Sequence, residues 1–319
     1  MPQVNRILVP IDLHENAEPV VAWAALLARS LHSGLTLLHV NESLEPIKHR
    51  PVTPEPLLGS AEDVEAWRET YQQSAHAEFA RLTTRYCADV TVATDVLEGR
   101  AHAVILEYLD KHPHDLLVMG THGRPWYQRV VLGSTAEVVL RAAPCSALIV
   151  RNTAESLTPP RLKTLLLPTD FSVSGVASEA WALQLAAEKE IILLHAIENP
   201  LLDVYDPDKA EFDIRRLMEE SREHPPRSAQ PFWDHAHHVA RLRLAVLRQQ
   251  LLGVRAQVEL SVREGPAAEA ILQTAENRNV DLIIMSTHGR SGVRRLLLGG
   301  VTEKVIRSAP CPVLAVRGG

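Results

Sequence analysis

The sequence predicts two doubly wound α/β domains in tandem, each a five-stranded parallel sheet with helices on both faces. Two observations carry that reading. Short apolar runs rich in β-branched residues alternate with segments of helical apolar spacing, the pattern of strands buried beneath crossover helices. The pattern is also written twice. Met119-Gly120-Thr121-His122-Gly123-Arg124 recurs 166 positions later as Met285-Ser286-Thr287-His288-Gly289-Arg290, and Ala143-Pro144-Cys145 recurs as Ala309-Pro310-Cys311. At 319 residues, each half is long enough to bury a core of its own.

In the first half, Ile7-Leu8-Val9 reads as a strand ended by Pro10, with Asp12 just beyond it. Val20, Ala24, Leu27 and Leu31 recur at helical spacing, and Gly34 is expected to terminate that helix. Leu35–Val40 is a second strand. Pro46, Pro51, Pro54 and Pro56 forbid a continuous helix over the connection that follows. Trp67, Tyr71, Ala75, Leu82 and Tyr86 mark a long amphipathic helix; Val90–Leu97 is a third strand, Gly99 a turn and Ala101–Lys111 a helix. Asp115–Met119 is a fourth strand, Ala136–Ala142 a helix and Ala147–Arg151 a fifth strand.

Asn152–Pro160, with Pro159-Pro160 and no apolar period, reads as a linker between domains at 1–151 and 161–319. The second half then runs in parallel. Leu165-Leu166-Leu167-Pro168-Thr169-Asp170 matches the first strand and its acid, Trp181 matches Trp23, and His195 matches His39. After a variable connection, Asn199–Pro231, come the long helix through Ala240, Leu244, Leu247 and Leu251, a strand at Val258–Val262, and Gly265 for Gly99. Asp281–Met285 and Val313–Val316 complete the repeat.

A net charge of −6 argues against a nucleic-acid or anionic-membrane binder. No apolar run approaches the roughly 18 residues of a spanning helix, and the chain enters its first strand too early for a signal peptide. Cys87, Cys145 and Cys311 form no CxxC or even framework, so a reduced, cytoplasmic protein is expected.

Glycines at the end of a buried strand let backbone approach a ligand where a side chain would collide. Gly133-Ser134-Thr135 then opens a helix, offering unpaired amides, two hydroxyls and the positive end of the helix dipole. Together these suit a phosphate group without a lysine. A tight turn followed by an ordinary Ser/Thr cap would use the same residues. In an open α/β sheet, ligands lie outside the carboxyl ends of the strands where the winding reverses. Asp12 and Gly120–Thr135 would face one crevice if strands one and four are neighbours.

Gly120, Gly123, Gly133 and Ser134 fill the spacing G-x2-G-x9-G-S. With Val9-Pro10-Ile11-Asp12 and the run Ala143 to Val150, this resembles the signature of the universal stress protein family, of the tandem bacterial type. The resemblance implies strand order 3-2-1-4-5 in each domain. It also implies pairing through the fifth strands, Ala147–Arg151 and Val313–Arg317, as an internal pseudo-dimer, with a further homodimer left open. It implies an adenine nucleotide, ATP or its di- or monophosphate, in a nucleotide-dependent stress-response module, with Mg²⁺ fitting a carboxylate beside a triphosphate. Pro10, Asp12, Val40 and Met119 would then meet adenine and ribose. Gly120 and Gly123, with His122 and Arg124 in the same loop, would border ribose and phosphates, and Gly133, Ser134 and Thr135 would hold the phosphates. The matching positions are Pro168, Asp170, Ala196, Met285, Gly289, Gly299, Gly300 and Thr302. Ser286 and Gly300 depart from the motif, so the second site is expected to bind more weakly, with Thr302 compensating for the hydroxyl missing at Gly300.

Other readings compete. The chain has no G-x-x-x-x-G-K-[ST] and no G-x-S-x-G elbow, which leaves slow ATP hydrolysis rather than rapid turnover. His122 and His288 could transfer protons or simply pack within their loops. His235, His237 and His238, near His224 and Asp234, suggest a metal, but no recognised ligand spacing is complete. Arg124, Arg290, Arg294 and Arg295 could assist phosphates or be solvated. Asp12 and Asp170 could equally be N-cap neighbours of the helices that follow them. A scaffold that binds no nucleotide remains the main alternative.

Overall fold

Strands β1 (Arg6–Pro10), β4 (Leu116–Gly120) and β5 (Ser146–Val150) are near-continuous apolar runs because helices cover both faces of the sheet they form. Ile7, Leu8, Val9, Leu116, Leu117 and Val118 are wholly buried. The structure, a computed structural model, describes residues 3–13, 17–42, 61–121, 132–151, 159–200, 230–251, 255–287 and 299–318. The proline-rich stretch at 45–56, most of the expected linker and most of the connection at 199–231 lie outside them.

The described residues fall into two units, the first comprising residues 1–161 and taking in Pro312–Arg317. In it, α1 (Ala17–Leu31) joins β1 to β2 (Gly34–Asn41), and α2 (Ala61–Tyr86) precedes β3 (Val92–Glu98). Next come α3 (Ala101–Lys111), β4, α4 (Ser134–Ala142) and β5. Parallel pairing gives the order β3-β2-β1-β4-β5, so the winding reverses between β1 and β4, as expected. Strand β10 (Val313–Val316) runs antiparallel to β5, placing Leu314 opposite Leu148. An unpaired β5 edge would leave a row of open backbone groups, and β10 satisfies it. Arg317 secures this strand: its backbone amide donates to Ser146 Oγ at 3.2 Å and its guanidinium to the Arg141 carbonyl at 2.6 Å.

The second unit contains β6 (Thr164–Pro168), α5 (Gly175–Leu185), β7 (Glu190–Ile197), α6 (Gln230–Leu251) and β8 (Gln257–Glu264). It continues through α7 (Ala267–Asn277), β9 (Leu282–Ser286) and α8 (Gly300–Ser308). Its parallel order, β8-β7-β6-β9, repeats that of the first unit. Trp23 and Trp181 are buried at matching places in α1 and α5.

One boundary differs in mechanism from expectation. Gly34 does not end α1; it is the first residue of β2. The left-handed residue is His32, at φ 56, with Ser33 N–H donating to Ala28 O at 2.9 Å and His32 N–H to Arg29 O at 3.4 Å. That is a Schellman closure built without glycine. Gly99 and Gly265, by contrast, do occupy positive φ, 139° and 103°, at the turns expected of them.

Among the described residues, no helix is long and apolar enough to cross a membrane. His114, just before β4, is buried, its Nδ1 on the His112 carbonyl at 2.6 Å and its Nε2 on Thr36 Oγ1 at 3.2 Å. Burial holds its imidazole below the ordinary value of 6.5. The unfolded chain therefore binds a proton that the folded chain refuses, so stability falls as pH drops below about 6.5 and goes on falling to the folded-state value. We expect His114→Gln to cost about 1 kcal/mol at neutral pH. It should also flatten the decline of urea midpoints between about pH 7 and 5. An unchanged slope would exclude His114 as the group responsible.

Candidate functional site

The carboxyl edge of the first sheet brings together two chain segments 110 residues apart. β1 is seated against β4 by Asp115, whose carboxylate accepts the Asn5 and Arg6 amides at 2.8 and 3.0 Å. Asp281 does the same for Lys163 and Thr164, both at 2.8 Å. With those strands in register, Pro10 closes β1, Asp12 follows it, and Met119 and Gly120 close β4 alongside. Met119 is buried, while Pro10, Asp12, Val40 and Gly120 are half-buried.

Beyond Gly120, Thr121 N–H donates to Val150 O, and Thr121 O accepts Gly133 N–H at 2.8 Å. The loop between them is thus closed at its base, which sets the first turn of α4 beside the end of β4. Gly133 is the cap residue, in extended conformation, with Ser134 exposed and Thr135 half-exposed. The first amides of a helix have no intrahelical partner and carry its positive dipole. His122, Gly123 and Arg124 lie outside the described residues, as do His288, Gly289, Arg290, Arg294 and Arg295.

The second unit has the same frame. Thr287 O accepts Gly299 N–H at 2.9 Å, and a Cβ on Gly299 would stand 3.0 Å from that oxygen, a tight contact that glycine avoids. The chemistry presented there differs. Gly300 and Val301 stand where the first unit has Ser134 and Thr135, so both hydroxyls are lost. Thr302 does not compensate: it is buried in the place of Ala136, and its hydroxyl donates to the Ser286 carbonyl at 2.9 Å. Asp170 Oδ1 accepts both the amide and the hydroxyl of Ser172, at 3.0 and 2.6 Å, so this acid serves the turn that follows it. Pro168 ends β6 and Ala196 is the penultimate residue of β7, both half-buried, and Met285 is buried.

Three features of this edge are not marked by the glycine motif. His39, buried in β2, has Nδ1 2.9 Å from the Ile11 carbonyl and Nε2 2.7 Å from the Tyr71 hydroxyl. His195 holds the Thr169 carbonyl in the same way at 2.8 Å, with Phe171 tilted against it, ring centroids 4.5 Å apart. Glu42 and Glu198 each accept the first amide of the next helix, Ala101 and Ala267, at 2.7 Å. The recurrence of histidine at matching places was the available signal for the first of these. Tyr71 was hidden in the apolar stripe of its helix.

The histidine group of α6 is dispersed. His237 Nε2 pairs with Glu264 at 2.8 Å, His238 is exposed, and His235 Nε2 is buried. Among the described residues, no group of three His, Cys, Asp or Glu side chains could hold a metal ion. Burial pushes the Cys87 and Cys145 thiols up to about 11, away from thiolate chemistry.

Residues 3–151 and 161–317 each match the Universal stress protein family. The chain belongs to the universal stress protein family. A universal stress protein of Mycolicibacterium smegmatis is 26% identical over 318 residues, covering 98% of this chain and 96% of that one. One from Methanocaldococcus jannaschii is 29% identical over 157 residues, 49% of this chain but 94% of its own length. One half of this protein thus spans nearly the whole of that relative. The crystal structure of a universal stress protein from Archaeoglobus fulgidus shares the fold, with a TM-score of 0.62 at 19% identity, over 99% of this chain and all of that one. The double match and the full-length relative make this a tandem universal stress protein, a stress-response family member.

The two glycines that open α8 should respond oppositely to a methyl group. Gly299→Ala forces Cβ against a backbone oxygen and should cost about 1–2 kcal/mol. Gly300, with nothing within 4 Å of the new Cβ, should accept alanine neutrally or gain about 0.5 kcal/mol from the less flexible unfolded chain. Denaturant midpoints of the two variants test this; equal effects would remove the close-approach argument.

Proposed function

We propose that this universal stress protein binds ATP in the crevice of its first half and works as a cytoplasmic, nucleotide-dependent stress-response module. The second half binds the nucleotide more weakly or not at all. The observation that carries this reading is the bond between Gly133 N–H and Thr121 O. It sets the first turn of α4, with Ser134 and Thr135, against the end of β4 and one strand away from Asp12. An anionic phosphate chain is the ligand that such a group of amides, hydroxyls and dipole favours. The fit of Gly120, Gly123, Gly133 and Ser134 to the family's nucleotide signature selects an adenylate among phosphate ligands. Asp12, an anion, must then meet the sugar or a Mg²⁺ ion rather than phosphate oxygens.

The weaker second site follows from its substitutions. Losing a hydroxyl to a neutral partner costs about 1 kcal/mol, and more when the partner is a charged phosphate.

Mass spectrometry of nucleotide released from freshly purified full-length protein should show an adenylate, and calorimetry should show Ser134→Ala weakening ATP binding about fivefold to tenfold. Gly300→Ser should strengthen the second site. In a single-turnover assay the bound ATP should stay intact for hours, as a sensor requires. Unchanged affinity in both Ser134→Ala and Gly123→Ala would refute the site.

A further inference from the structure

Tyr71 lies outside the glycine motif, on the long helix α2, yet it reaches the crevice of the first unit. Its hydroxyl is 2.7 Å from His39 Nε2, and its ring is stacked near that of His39, centroids 5.8 Å apart and planes 24° apart. Trp67 is tilted against Tyr71, at 5.2 Å between centroids. The direction of the hydroxyl proton follows from hydrogen-bond accounting. A carbonyl can only accept, so His39 Nδ1, 2.9 Å from Ile11 O, carries the hydrogen. In the neutral ring Nε2 is then an acceptor, and Tyr71 must donate to it. The phenol oxygen is left with lone pairs alone to offer a ligand.

Asp12 is the residue after Ile11, and its carboxylate is close enough for its charge to add to burial in holding the Tyr71 phenol protonated. Two oxygen acceptors therefore border the same corner of the crevice, one of them anionic. Such a corner calls for a ligand that brings donors. A ribose diol brings two, on adjacent carbons, each free to rotate toward either oxygen.

Among the described residues, the second unit lacks this corner. Counting back from the match of Ala75 with Ala240, Ala236 stands in the place of Tyr71. The ring beside His195 is Phe171, which has no hydroxyl, and the Arg243 guanidinium lies over that ring at 5.5 Å.

We infer that Tyr71 is a specificity-determining residue of the first crevice, where with Asp12 it accepts hydrogen bonds from a ribose diol and so selects ribonucleotides over deoxyribonucleotides. This rests on the ATP reading above and extends it to a residue and a discrimination that the glycine motif does not contain. A site built to bond a hydroxyl rejects the analogue lacking it far more strongly than an apolar pocket does, because its own polar groups are then left unpaired.

The test is calorimetry on the full-length protein and Tyr71→Phe with ATP, 2′-deoxy-ATP, 3′-deoxy-ATP and inosine triphosphate, which lacks the base amine. The wild-type protein should bind ATP at least about tenfold tighter than one of the deoxy analogues. It should bind inosine triphosphate nearly as well as ATP. Tyr71→Phe keeps the stacked ring and should lower ATP affinity about tenfold while leaving the deoxy analogue unchanged, so that the preference collapses. An undiminished preference in Tyr71→Phe overturns the inference. So does equal binding of ATP and both deoxy analogues by the wild type, or dependence on the base amine in place of the diol. In those cases ATP binding itself stands, whereas failure of the wild type to bind any adenylate overturns both readings. Circular dichroism and melting check that Tyr71→Phe folds. If it does not, Asp12→Asn replaces one acceptor oxygen with a donor and should shrink the same ratio; a ratio that does not move overturns the inference by that route.

Discussion

A carboxylate-to-amide clamp at the amino edge of the sheet sets the register on which the rest of each unit is laid out. Asp115 accepts two successive backbone amides at the start of β1, while its own N–H donates to Arg6 O at 2.9 Å. These bonds lie at the amino edge of the sheet, yet their consequence appears at the carboxyl edge. Parallel strands that start together end together, so Pro10 and Asp12 arrive beside Met119 and Gly120. The same two strands are where the winding reverses, and the crossover helices leave an open crevice there. Asp281 acts identically on β6 and β9. The position of the site is thus a property of strand pairing before it is a property of any side chain in the crevice.

Closure of the loop base adds the second constraint. An amide at the end of the loop donates to a carbonyl at its beginning, Gly133 to Thr121 and Gly299 to Thr287. The helix that follows must then start against the strand that came before. For Gly299 the approach is tight, and a Cβ there would press on the Thr287 carbonyl at 3.0 Å. The glycine serves the backbone frame first, and any ligand benefits from the amides that this frame delivers. This explains why Gly299 remains while the motif around it has lost its hydroxyls.

Much of this was legible in the sequence because the signals were local. Apolar runs gave the strands, helical spacing gave Ala101–Lys111 with both ends correct, and Gly99 and Gly265 fell at turns with positive φ. What escaped involves partners far apart in the chain. The histidines at 39 and 195 were visible as a repeated pair. Their bonds to the carbonyls of Ile11 and Thr169 depend on strand register that no local window contains. Glu42 and Glu198 cap helices some 59 and 69 residues away. Gly34 misled because glycine is the usual left-handed residue at a helix end, whereas His32 takes that conformation. Thr302 misled because a threonine near a phosphate motif suggests a ligand; on the helix it falls one position further along than Thr135 and faces the Ser286 carbonyl.

The duplication separates two kinds of residue. Those that hold backbone to backbone are paired one for one across the halves: Asp115 with Asp281, His39 with His195, Glu42 with Glu198, Gly99 with Gly265, Gly133 with Gly299. Those that face the crevice are not: Ser134 against Gly300, Thr135 against Val301, Tyr71 against Ala236 with Phe171 in its stead. In the first group, losing a buried histidine would leave a carbonyl without its partner inside the fold, at roughly 1–3 kcal/mol out of a total stability of about 5–15. A change in the second group alters what the crevice offers to a ligand and leaves the sheet intact. Both units can therefore share one architecture while presenting different chemistry, and the difference is concentrated in the few side chains that a bound molecule would touch.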